Sequence, residues 1–107
     1  MAILIVFTTL PDSNSAVKLA KTLVEKRYAA CVHLLPTGLS VYRWEGRIEH
    51  ADEVTLLIKT TQAAYAELET AIRATHPYDL PEIIAVPVTA GLPAYLDWVN
   101  AETWISP

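Results

Sequence analysis

The sequence predicts a single α/β (α+β) domain with elements in the order β-α-β-β-α-β and one more helix at the C-terminal end. Three observations point there. Short apolar, β-rich runs alternate with two segments of helical period, a Gly-containing tight turn joins the second and third strands, and 107 residues suit one core spanning 1–107 and no second one.

Ile3-Leu4-Ile5-Val6-Phe7 is apolar at every position, as expected of a central strand covered on both faces. Asp12, Ser13 or Asn14 can cap the next helix, whose apolar positions Ala16, Val17, Leu19, Ala20, Leu23 and Val24 keep helical spacing to about Lys26. Ala30 to Tyr42 is a second β stretch, with a bend or bulge expected at Pro36-Thr37-Gly38. Trp44-Glu45-Gly46-Arg47 reads as a tight turn with positive φ at Gly46, leading into a long strand through Val54, Leu56 and Ile58 to Thr60. Thr61 is placed to cap the second helix, which carries Ala64, Tyr65, Leu68, Ala71 and Ile72 as its stripe and stops at His76-Pro77. Glu82 to Val88 is the next strand, and Pro87, which cannot donate to a ladder, assigns it to an edge. The last helix, about Pro93 to Asn100, opens on its proline. This order is the ferredoxin-like split βαβ arrangement.

Composition narrows the function. Apolar residues make up 52% of the chain and charged ones 19%, so a folded core is expected. A net charge of -4 and eight scattered Lys and Arg would repel a phosphate backbone, which argues against a nucleic-acid partner. Cys31 is the single cysteine, so no intrachain disulfide forms and a cytoplasmic location is expected. No apolar run approaches the ~18 residues of a membrane span, and Ala2 to Phe7 is too short and lacks the basic flank of a signal segment.

The strand pattern also predicts assembly. Two helices cover one face of a four-stranded sheet, yet both registers are apolar: Ile3, Ile5 and Phe7 against Leu4 and Val6, Val54, Leu56 and Ile58 against Leu57, Ile83 and Ala85 against Ile84 and Val86. A second copy of the chain is expected to cover the other face. Tyr42-Arg43-Trp44-Glu45 at the hairpin end adds the residue types that anchor interfaces.

Four ordered motifs carry a family resemblance: ACVHLLPTGLSVYRWEGRI from Ala30 to Ile48, LIKTT at 57–61, HPYDLPEIIAVPV from His76 to Val88, and PAYLDWV from Pro93 to Val99. Across essentially the whole chain the sequence is similar to the divalent-cation-tolerance (CutA) family. The resemblance implies a ferredoxin-like homotrimer with sheets around a threefold axis, the long hairpin reaching a neighbouring subunit, and a link to copper or other divalent cations. It also implies an architecture like that of the PII signalling trimers, so a ligand-binding signalling or scaffold trimer is the alternative function.

The candidate metal ligands are Cys31 and His76. Cys31 can serve a soft ion as a thiolate or pack as a small buried hydrophobe. His76 can be held by the end of the second helix without binding metal. The resemblance implies, for some family members, a copper site at the histidine of the HPY motif with an adjacent histidine and a cysteine near the end of the first strand. Here those two partner positions are Thr75 and Thr8. His33, where relatives often carry Asn or Thr, and His50 show no ligand spacing and read as surface or strand-packing residues.

Lys59, Tyr78, Glu82 and Trp44, with Cys31, are candidates to line a ligand pocket at a subunit interface. The competing reading is structural, with Lys59 and Glu82 as an ion pair and the Tyr78 hydroxyl satisfying a backbone group. Catalysis is not expected, because the loop Thr8 to Asp12 offers no arginine or glycine anion cradle. Base stacking is not expected either, since the central strands carry only Phe7 as an aromatic.

Overall fold

The computed structural model describes residues 2–103. Its elements are β1 (Ile3–Leu10), α1 (Ser13–Glu25), β2 (Cys31–Leu34), β3 (Gly38–Trp44), β4 (Arg47–Thr61), α2 (Tyr65–Thr75), β5 (Ile84–Pro87) and α3 (Pro93–Glu102). The strands lie in the order β2-β4-β1-β5, with β3 paired to the free length of β4. All pairings are antiparallel, β1 is internal, and β5 with Pro87 is an edge, as the sequence predicts.

β4 organises the molecule. Its C-terminal half, from Val54 onward, pairs with β1 and β2, and its N-terminal half pairs with β3 as a hairpin arm. Between the pairs Leu34–Leu56 and Gly38–Glu53, three residues on one strand face two on the other. That one-residue bulge at Leu35, Pro36 and Thr37 separates β2 from β3. At the arm's tip Trp44 pairs with Arg47, and the two residues between them lie in the left-handed region, Glu45 at φ 50° and Gly46 at φ 78°. A two-residue turn needs this at both positions. Glycine meets the demand without strain and Glu45 does not.

α1 and α2 pack on one face of the sheet. Val6, Leu10, Val54, Leu56 and Ile58 meet Leu19 and Leu23 of α1 and Leu68 and Ile72 of α2 in the main core. Val17 and Val24, assigned to the α1 stripe by spacing, are about 40% exposed instead. Leu19, Ala20 and Leu23 fill the buried side, and the two valines fall on its margins.

Asp12 is the cap of α1, its carboxylate accepting from the Ser15 N–H at 2.7 Å. Thr61 does not cap α2: its hydroxyl accepts from the Ala64 N–H at 3.2 Å in the turn before the helix, and Ala64 holds the N-cap position. β5 is shorter than the Glu82–Val88 expected, although the Val88 N–H still bonds to Ile3. α3 packs Val99 onto Ile3 and Ala30, covering one end of the sheet's other face.

The long axis measures 44 Å against 27 and 22 Å, and the radius of gyration is 14.4 Å, where a compact chain of this length would have about 13 Å. The arm accounts for the excess.

Candidate functional site

Paired residues share a face, so the register lays out the side of the sheet away from α1 and α2. One row crosses the strands as Cys31, Lys59, Ile5, Val86, and the next as His33, Leu57, Phe7, Ile84. The centre is half-buried and the rim exposed, with Ile84 at 55% and Val86 at 43%. α3 overhangs the first row: the Lys59 ammonium lies 5.7 Å from the centre of the Tyr95 ring, within cation–π range. Tyr95 in turn leans on Trp98 at 5.6 Å between ring centres.

β4 serves as a ruler for the sequence-derived pocket residues. Lys59 is level with Cys31, Tyr78 donates its hydroxyl proton to Glu53 at 2.9 Å, and Trp44 is level with Arg47. At about 3.3 Å per residue, each step is roughly 20 Å. Glu82 is exposed and precedes β5 at the Thr9 end of the sheet, on the side of Tyr78. Within one chain these four residues therefore do not converge. The Lys59–Glu82 ion pair does not form, and the one ion pair among the described residues joins Arg27 to Glu102 at 3.5 Å. Tyr78 binds a carboxylate rather than a backbone group.

β1 ends opposite Val54, and the chain after α2 fills the space beyond it. His76 caps α2 with its backbone N–H on Ile72, while its ring bridges two other segments. Nδ1 accepts from the Tyr78 N–H at 3.1 Å, so Nε2 carries the proton and donates to the Thr9 carbonyl at 2.7 Å. The Tyr78 ring packs 4.9 Å from the imidazole. Burial pushes the Tyr78 phenol up to about 12, reinforced by the hydrogen bond to Glu53 and that carboxylate's charge.

The metal candidates are held apart. His76 touches β1 at Thr9, whereas Cys31 is level with Ile5 two strands away. Four residues of strand and two strand spacings amount to about 13 Å by 10 Å. With both imidazole nitrogens already bonded, His76 and Cys31 of one chain do not fit a single ion. Thr8 points into the main core, fully buried, with its hydroxyl unpartnered among the described residues. Thr75 bonds back to Ala71 on α2. No group of three or more His, Cys, Asp or Glu among the described residues is arranged to hold a metal.

His33, which the sequence reads as a surface or strand-packing residue, is exposed. It shares a face and an edge strand with Cys31, two residues on, and its ring makes no hydrogen bond among the described residues, unlike that of His76. Both residues lie in the β stretch that the sequence predicts, where a spacing of two already puts them on one face.

Comparison with known proteins supplies the lineage. Residues 4–102 match the family model described as CutA1 divalent ion tolerance protein. The divalent-cation tolerance protein CutA of Thermus thermophilus is 43% identical over 92% of this chain and 96% of its own length. Protein CutA of Mus musculus is 44% identical over 91% of this chain, which spans 55% of that longer protein. The crystal structure of CutA from Xylella fastidiosa superposes with a TM-score of 0.92 at 48% identity, covering 94% of this chain and 97% of the other. Agreement of sequence and architecture over nearly the whole chain places it in the CutA1 divalent ion tolerance family.

Proposed function

We propose that the chain works as a homotrimeric, non-catalytic metal-tolerance protein of the cytoplasm, in which each copy covers another's open sheet face and extends its arm to a neighbour. The carrying observation is the open face itself. Ile5, Phe7, Leu57, Ile84 and Val86 form a continuous apolar surface that neither α1 nor α2 reaches. At about 25 cal/mol per Å², leaving a face of this kind wet would cost several kcal/mol. The arm supports the same reading, since Leu39, Val41 and Ile48 are 63–65% exposed on one of its sides. No helix of the described residues is long and apolar enough to cross a membrane, in keeping with work in an aqueous compartment.

Family membership supplies the cation link, because the Thermus thermophilus relative is named for divalent-cation tolerance. Copper or another divalent cation would be taken through Cys31. His76 could join only by releasing Thr9 or Tyr78, and only across a subunit boundary. Lys59, Tyr78, Glu82 and Trp44 would line a common pocket only where the arm of one copy meets the core of another. Light scattering at micromolar concentration tests the assembly: the mass of three chains is expected, and that of one chain overturns it. Titration of the reduced protein with copper tests the cation half, with binding expected in the wild type and lost in Cys31→Ser.

A further inference from the structure

We propose that the Tyr78–Glu53 hydrogen bond, braced by His76, is a strut that sets the angle of the β3–β4 arm against the core and so decides where the tip is presented. The arm leaves the core by two strands that hold it unequally. β4 runs unbroken from Arg47 to Thr61, whereas the β2–β3 side crosses the bulge at Leu35, Pro36 and Thr37 and starts again at Gly38. A bulge bends and twists the strand that carries it. Gly38 adds no side chain to steady this point, and the space a Cβ would take there is open. Beyond the bulge Leu39, Val41 and Ile48 are exposed, so side-chain packing on that side does not hold the arm.

The strut meets the arm at its first pair. Glu53 is the partner of Gly38, directly past the bulge, and its carboxylate accepts from the Tyr78 hydroxyl at 2.9 Å. Among the described residues this is the one side-chain hydrogen bond that reaches the arm from another part of the chain. Tyr78 can bear on Glu53 because its own segment is tied to the core. The His76 ring accepts from the Tyr78 N–H at 3.1 Å and donates to the Thr9 carbonyl of β1 at 2.7 Å, and the His76 N–H closes α2 on Ile72. Glu53 and Arg47 lie six residues apart on β4, a lever of about 20 Å. A rotation of about 10° at the root therefore carries the tip about 3.5 Å, enough to take a side chain out of a well-packed contact. Its bearing on assembly rests on the trimer reading above, while the angle itself is a property of one chain.

The test reads the angle by double electron–electron resonance between spin labels at Lys18→Cys on α1 and Arg47→Cys at the tip, both exposed positions, in a Cys31→Ser background. Labelled chain is refolded with an excess of unlabelled chain, so that each distance lies within one copy, and mass and urea midpoint are recorded beside it. This parent should give one narrow distance. Tyr78→Phe and Glu53→Leu should each shift or broaden it by about 3 Å or more. Glu53→Gln, whose amide oxygen still accepts from the phenol, should stay close to the parent. A folded Tyr78→Phe that keeps the parent distance overturns the strut even if its urea midpoint falls, because lost stability alone marks a merely structural tie. Should Tyr78→Phe not fold, the Glu53 variants read the same bond: Glu53→Leu at the parent distance overturns the strut, and so does Glu53→Gln moving as far as Glu53→Leu. A one-chain mass with the expected distances overturns the trimer and leaves the strut standing.

Discussion

The two halves of β4 share one backbone and one alternation, yet they stand in opposite environments. From Val54 to Thr60 every second residue is buried under α1 and α2, while Ile48 on the same side of the arm is 63% exposed. β1 stops opposite Val54, and beyond that point Leu39, Val41 and Ile48 stay exposed. The same residue type therefore supports the fold in one half and lies open to solvent in the other. An apolar pattern reports that a surface is to be covered, and only the neighbouring elements decide by whom.

The contrast breaks first in the buried half. Leu56 is fully buried at the centre of the main core, so Leu56→Ala should cost about 2–5 kcal/mol through lost burial and the cavity left behind. A shift in the urea midpoint reads it, and Ile48→Ala measured beside it should leave the isolated fold nearly unchanged. Equal losses at both positions would mean that the arm is part of the monomer's core.

Trp44→Ala addresses the exposed half. If the arm anchors a neighbouring subunit, the change should weaken assembly by about 2 kcal/mol or more and move dissociation to higher concentration in a dilution series followed by light scattering. A trimer of undiminished mass and melting point would show that the tip anchors nothing.

Where the halves join, Tyr78 ties the loop after α2 to Glu53. Tyr78→Phe should cost about 1 kcal/mol, with a pH signature. The phenol is raised from 10.0 to about 12, so its contribution is intact below pH 10 and fades as pH rises from 10 toward 12. Denaturation at pH 8 and pH 11 should show a larger wild-type loss than in the variant.

The smallest effect is expected at the tip. Glu45 at φ 50° carries a strain that asparagine bears better, so Glu45→Asn should stabilise the hairpin by about 0.5 kcal/mol, visible as a small rise in melting temperature.

Much of this contrast was legible in the residues. A cap among Asp12, Ser13 and Asn14, the turn at Gly46, the edge strand at Pro87 and the doubly apolar sheet each follow from a local rule that nothing overrides. Thr61 misled because its hydroxyl closes a turn three residues before the N-cap Ala64, and a cap signal does not fix the distance to the first helical residue. Val17 and Val24 misled because helical spacing gives a stripe and not its width. The site was harder to read, since Lys59, Tyr78 and Trp44 are strung along β4 at steps that no motif reveals. His33 and Cys31, by contrast, share a face of one predicted strand by alternation alone.

The uninterrupted β4 also limits how such chains can change length. A residue inserted into each strand of the arm would preserve pairing but turn everything beyond it over, moving Trp44 to the opposite side. Two inserted in each would restore the side and carry the tip about 7 Å farther. Changes in reach that keep the same side chains on the same side should therefore come in pairs of residues, and a relative with an odd step between bulge and turn should present its tip aromatic on the other surface.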